Sequence, residues 1–160
     1  MNKVYLLTGG NIGDRQLTLA TAKKKIETEC GRIVRSSALY ETAAWGNTRQ
    51  SPFLNQALEL ETLMTAKQLI SKLLEIEENM GRIRTEKYGP RIIDIDILLF
   101  NAEKYEYPHL KVPHPELQNR RFALLPLAEI GANLIHPLFN KTIAQLLDEC
   151  QDPLEVKKYS

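Results

Sequence analysis

Apolar and polar positions along the 160 residues alternate between a period of two and a helical period, with turn residues between. Val4–Thr8 reads as a strand that ends at the turn Gly9-Gly10-Asn11-Ile12-Gly13. Asp14 is a suitable helix N-cap, because its carboxylate can accept from unpaired backbone N–H groups, and the helix it opens runs to about Glu29. Ile33–Tyr40 reads as a second strand. After a loop (41–52), Phe53–Glu61 reads as a third, with Leu54, Leu58 and Leu60 on one face. Thr65-Ala66-Lys67-Gln68 is a capping box ahead of Leu69, Ile70, Leu73, Leu74, Ile76 and Met80 at helical spacing. A polar, basic loop (82–91) leads into the most apolar strand, Ile92–Phe100. Tyr105–Pro115 carries three prolines and predicts irregular or edge structure. Glu116–Ile130 predicts partial helix with Pro126 near a boundary or kink, and Thr142–Gln145 is a second capping box for a short last helix.

Two strands adjacent in sequence, with helices before and after, favour an α+β sheet covered by helices over a doubly wound parallel sheet. No linker or repeat divides the chain, and its length fits one domain over 1–160. A hydrophobic fraction of 43% suffices for a core. With 21 basic and 20 acidic residues the net charge is +1, so anion binding has to be local rather than a global pull toward nucleic acid or an anionic membrane. The apolar run near the N-terminus is too short for a signal-peptide core or a membrane span. Cys30 and Cys150 lack a partner spacing and read as reduced core thiols. The expected setting is cytoplasmic.

Chemistry concentrates between Gly81 and Phe100. On a strand, Asp94 and Asp96 project to one face while Ile93, Ile95 and Ile97 point the other way. Carboxylates about 6–7 Å apart can hold a hard cation, magnesium above all, or can simply form a solvated strand face. The preceding loop is cationic: Arg82, Arg84, Lys87 and Arg91 stand against the single Glu86. Guanidinium groups fork onto phosphate oxygens, so this loop beside a carboxylate pair matches what a magnesium–polyphosphate site requires. No P-loop, dinucleotide fingerprint or H-E-x-x-H motif is present, and the glycines at 9, 10 and 13 indicate only a tight bend. Downstream, His114 and Arg120 can reach a phosphate, although a histidine after a proline is as easily structural. Tyr40 to Gly46 and Phe53-Leu54-Asn55 place aromatics and amides near two strand ends. That combination suits a flat heteroaromatic ligand, or an ordinary core and turn.

Gly-Pro-Arg-Ile-Ile-Asp-Ile-Asp-Ile-Leu-Leu-Phe (89–100) resembles the signature of the 6-hydroxymethyl-7,8-dihydropterin pyrophosphokinases. Val-Pro-His-Pro (112–115), Asn119-Arg120, Thr42–Gly46, Phe53–Asn55 and Pro126–Ile130 extend the resemblance in order along nearly the whole chain. The resemblance implies a ferredoxin-like fold, a mainly antiparallel sheet with helices packed on it. It implies transfer of diphosphate from ATP to the hydroxymethyl group of the pterin, with release of AMP, as a step in folate synthesis. It further implies two magnesium ions at Asp94 and Asp96, charge stabilisation by Arg82 and Arg91, and ATP contacts from Glu77, Arg84, Tyr88, Ile97, His114 and Arg120. Thr42, Ala43, Ala44, Trp45, Phe53, Asn55 and Phe122 are implied for the pterin. The expected partners are these two substrates and neither nucleic acid nor membrane, with the protein a monomer.

Relatives often carry prolines where Ala43 and Ala44 stand, a tryptophan at Tyr88 and an arginine at His109. An RNA-binding module on a similar sheet is one rival reading, but two carboxylates on the site face repel phosphate unless metal intervenes. A two-metal phosphohydrolase using water as acceptor is the other.

Overall fold

The computed structural model of the chain describes residues 1–44, 50–82 and 90–160. Its first half runs β1 (Asn2–Gly10), α1 (Arg15–Glu29), β2 (Arg32–Ser36), β3 (Tyr40–Thr42), β4 (Phe53–Thr62), α2 (Ala66–Asn79) and β5 (Asp94–Phe100). There follow a hairpin of β6 (Tyr105–Tyr107) and β7 (Leu110–Val112), a 3-10 turn at Leu117–Asn119 and α3 (Arg121–Gly131). A small hairpin of β8 (Ile135–His136) and β9 (Lys141–Thr142), α4 (Ile143–Glu149) and β10 (Val156–Lys158) complete the order.

The main sheet has the order β10-β3-β4-β1-β5, with β2 also pairing with β4, and every pairing is antiparallel. With β2 and β3 taken as one broken strand, the β-α-β-β-α-β order and the central β1–β4 pair give the expected ferredoxin-like α+β sheet. Both faces are covered. Val4, Leu6, Leu54, Leu58 and Leu60 pack with Leu19, Ile26, Leu69, Leu73 and Ile76 of α1 and α2. Tyr5, Leu7 and Ala57 face Leu124, Leu127 and Ile143 of α3 and α4. Burial on both sides explains why β1 reads as a continuous apolar run rather than an alternation.

Local signals fix the starts of α1, α2 and α4. Asp14 accepts from Leu17 N, and both capping boxes, Thr65 with Gln68 and Thr142 with Gln145, are closed reciprocally. Two expectations need correction. The strand predicted at 33–40 is broken, because the Ser37 hydroxyl accepts from Ala57 N at 2.9 Å and interrupts the ladder between β2 and β3. Pro126 lies well inside α3 rather than at its boundary, with its ring buried. A proline there removes one helical N–H donor, a loss that tertiary packing of the buried face outweighs. The Tyr105–Pro115 stretch forms the β6–β7 hairpin, with Tyr105 and Tyr107 stacked at 5.8 Å. Among the described residues no helix is long and apolar enough to cross a membrane.

Candidate active site

Where β1, β4 and β5 come together at one end of the sheet, a cavity of about 280 Å³ opens between the β3 end and the start of α3. Its wall includes Thr42, Ala43, Phe53, Asn55, Arg91, Asp94, Asp96, Arg120 and Phe122, all singled out in the sequence. Leu7, Gly9, Glu116, Asn119 and Asp152 complete it.

One end is charged. Asp94 and Asp96 begin the β5 edge strand, and both side chains reach the cavity while Ile93, Ile95 and Ile97 enter the core below α2. Asp94 Oδ1 accepts from Arg82 Nε at 2.9 Å and from a terminal Arg82 nitrogen at 2.8 Å, and Arg91 Nε stands 3.3 Å from Oδ2. Burial raises the Asp94 pKa, the charge of Asp96 adds to the rise, and Arg91 and Arg82 oppose it. Glu77 of α2 lies behind this pair. Its carboxylate accepts from Ile95 N at 2.6 Å and stands 4.0 Å from Arg82 Nε. Burial pushes its pKa up to about 7, against the Ile95 hydrogen bond.

These carboxylates fit a hard cation. Among the described residues no group of three or more His, Cys, Asp or Glu side chains is arranged to hold an ion. The site thus offers two carboxylates, the donor set that suits magnesium when waters and substrate phosphates complete its octahedron. Burial is the main cause of the rise at Asp94, and the repulsion from Asp96 that adds to it is what a cation beside the pair would relieve.

The other end is apolar with two unpaired polar atoms. Asn55 is 6% exposed, and its Nδ2 donates to Thr8 O at 3.2 Å, while Oδ1 is buried without a partner. Thr42 Oγ1, in a residue 3% exposed, is likewise unpartnered. Phe53 and Phe122 supply aromatic wall, and the Arg120 guanidinium lies 5.6 Å from the Phe122 ring centre. Buried acceptors and hydroxyls beside aromatic faces are what a flat, hydrogen-bonding ring requires.

The glycine turn does more than bend the chain. A Cβ on Gly9 would lie 2.1 Å from Asn55 Nδ2, and one on Gly10 would lie 2.3 Å from the Ile92 carbonyl. Only glycine lets both ends of the cavity close so tightly on β1. Asn11, 5% exposed, then holds Arg91 from both sides: its N donates to Arg91 O at 2.9 Å and its Oδ1 accepts from Arg91 N at 2.8 Å. Its Nδ2 donates to Gln50 Oε1 and Ser51 O, each at 3.0 Å.

Residues 5–132 match the model of the 7,8-dihydro-6-hydroxymethylpterin-pyrophosphokinase (HPPK) family. The chain belongs to this family. It is 42% identical over 149 residues to the 2-amino-4-hydroxy-6-hydroxymethyldihydropteridine pyrophosphokinase of Aquifex aeolicus, covering 93% of this chain and 92% of that one. The enzyme of the same name from Bacillus subtilis is 41% identical over 130 residues, 81% of this chain and 78% of the relative. The wild-type HPPK-DHPS of Plasmodium falciparum superposes with a TM-score of 0.74 at 20% identity, covering 93% of this chain and 43% of that longer one. That last likeness concerns the fold alone.

Not every residue singled out in this HPPK chain reaches the cavity wall. Arg82 stands behind Asp94, Glu77 touches the backbone of β5, and Ala44 is buried off the wall. Ile97 is 4% exposed and its side chain belongs to the core. His114 donates its backbone N–H to Leu98 O at 3.0 Å, and its Nδ1 accepts from Glu116 N at 3.1 Å. Burial and the nearby Arg120 charge hold its imidazole pKa down to about 4. Trp45, Arg84 and Tyr88 lie outside the described residues. Sequence reasoning missed Asn11, Glu116 and Asp152 and gave Asn119 no role beyond its motif; the Gly-Gly-Asn run next to a strand end was a signal for Asn11.

Proposed function

We propose that the cavity is where this HPPK-family chain moves a diphosphate from ATP to the hydroxymethyl group of 6-hydroxymethyl-7,8-dihydropterin, with magnesium held by Asp94 and Asp96. The observation that carries this reading is one cavity with two chemically different ends, a carboxylate–arginine end and an end of unpaired amide and hydroxyl atoms beside aromatic rings. The pterin lies at the second end, with Asn55 and Thr42 on its hydrogen-bonding edge and Phe122 and Phe53 against the ring. Ala43 lines that side as well, and the family resemblance assigns Ala44 and Trp45 to the same ligand.

The pterin hydroxyl oxygen attacks the β-phosphorus of ATP in line. A new O–P bond forms, the bond from the β-phosphorus to the bridging α,β-oxygen breaks, and AMP departs with that oxygen while the hydroxyl proton is released. Magnesium, as two ions, supplies neutralisation of the polyphosphate charge. Arg91, on the cavity wall, forks onto the transferring group and Arg82, behind Asp94, adds its charge to the stabilisation, since fixed donors aimed at developing charge lower the barrier most. His114 is neutral at physiological pH, so it takes part as a hydrogen-bonding group rather than a cation, beside Arg120. Glu77, Arg84, Tyr88 and Ile97 belong to the nucleotide side, Ile97 through its backbone, since its side chain is buried. The chain works in this reading as one cytoplasmic, monomeric domain.

The test is AMP release from ATP and magnesium, with and without the pterin. Pterin-dependent AMP, abolished by a chelator and restored by magnesium, is expected. ADP or free phosphate formed at a rate indifferent to pterin would replace this reading with the hydrolase.

A further inference from the structure

The wall carrying Phe122 and Arg120 is the first turn of α3, and that turn has an unusual cap. Arg120, the N-cap residue, makes no capping hydrogen bond with its own side chain. The cap comes from 31 residues downstream: Asp152 Oδ2 accepts from Arg121 N at 3.1 Å. The same segment takes the Arg121 guanidinium, which donates to Asp152 O and, at 2.9 Å, to Cys150 O. Asp152 Oδ1 accepts from Leu154 N at 3.0 Å, which fixes the carboxylate in its own turn. Four residues later the chain becomes β10, which pairs with β3 so that Val156 stands opposite Thr42. Tyr159 N then donates to Leu39 O at 2.8 Å.

One short segment therefore grips both walls of the ring-binding end, α3 through Arg121 and β3 through the ladder at Thr42. Asp152 itself faces the cavity between them. This segment lies beyond the residues matched to the family. We propose that Asp152 is a positioning residue that sets the spacing of the Phe122 and Thr42 walls and so tunes affinity for the pterin. The inference rests on the reading of this end as the pterin site.

The experiment is steady-state kinetics of wild type, Asp152→Ala, Asp152→Asn and Thr142→Ala, each with a thermal melt. Thr142 caps α4 and does not line the cavity, so its variant reports the consequence of losing a helix cap alone. For Asp152→Ala the pterin KM rises about fivefold, the equivalent of one lost cap, while kcat and the ATP KM stay within about twofold. Asp152→Asn recovers part of the affinity, because its single amide oxygen can still accept from Arg121 N while its NH2 cannot accept from Leu154 N. Thr142→Ala lowers the melting temperature comparably and leaves the pterin KM unchanged. An unchanged pterin KM in Asp152→Ala, or an equal rise in Thr142→Ala, overturns the proposal. A wild-type protein that binds and uses no pterin overturns instead the reading it rests on.

Discussion

The two ends of the cavity handle polarity in opposite ways. At the β5 end the described charges are met mostly from inside the protein: Arg82 and Arg91 share Asp94 and Glu77 takes a backbone amide, with one buried Arg82 nitrogen left unpaired. At the β4 end Asn55 Oδ1 and Thr42 Oγ1 are buried with no partner. Unmade hydrogen bonds to buried acceptors cost roughly 1–3 kcal/mol each, so they are retained where a ligand completes them. In the proposed reading, the charged end has to exchange its partners to bind polyphosphate, while the ring end only has to be filled. Selectivity for the ring should therefore be built into the resting protein, and charge handling should depend on what binds.

The largest effect separates the two ends outright. Asp94→Ala or Asp96→Ala should lower kcat by about a thousandfold or more with a near-native melting temperature, since a phosphoryl-transfer site relies on its metal carboxylates for charge balance. Near-wild-type turnover in both variants would falsify the metal assignment. Next, Asn55→Ala should raise the pterin KM by roughly ten- to a hundredfold and leave the ATP KM alone, as expected when a hydrogen-bonding site loses its discriminating group. Equal effects on both substrates would break the division into two ends. Asn11→Ala touches neither end directly but frees Arg91, and kcat should fall about tenfold, because small misplacement of a catalytic group is costly. An unchanged kcat would show that the salt bridge to Asp94 places Arg91 unaided.

The smallest effect is a stability change in the protein without nucleotide or metal. Glu77 has a folded pKa raised to about 7 from an ordinary 4.5, so the folded state holds its proton more tightly than the unfolded state. That contribution is fully present below the ordinary value and is lost as pH rises through 7. Glu77→Gln does not titrate, so its melting-temperature advantage over wild type should grow by roughly 3–6 °C between about pH 5 and about pH 8. A constant difference would mean that Glu77 is already well served as an anion.

The fold was legible where a local rule acts alone. Asp14, Thr65 with Gln68 and Thr142 with Gln145 each start a helix by short-range hydrogen bonding, and each does so in the structure. β10 escaped notice because Val156-Lys157-Lys158 is short and largely polar, and becomes a strand only by pairing with β3. Ser37 broke a predicted strand through a bond to Ala57, twenty residues away, which no local window contains. The site followed the same division. Asp94 and Asp96 were readable from strand periodicity, whereas Asp152 enters the cavity only through the path of the C-terminal segment.

β5 is the outermost strand on its side of the main sheet, and such edges are templates for another chain. Glu77 occupies the Ile95 amide, and His114 N–H occupies the Leu98 carbonyl. The two residues proposed for the nucleotide side thus also occupy two of the backbone groups onto which a stray strand would add. Loss of the Glu77 carboxylate would therefore remove more than a ligand contact, because it would also uncover the Ile95 amide on that edge beside Asp94 and Asp96, whereas the main-chain His114 bond survives any replacement that keeps an N–H.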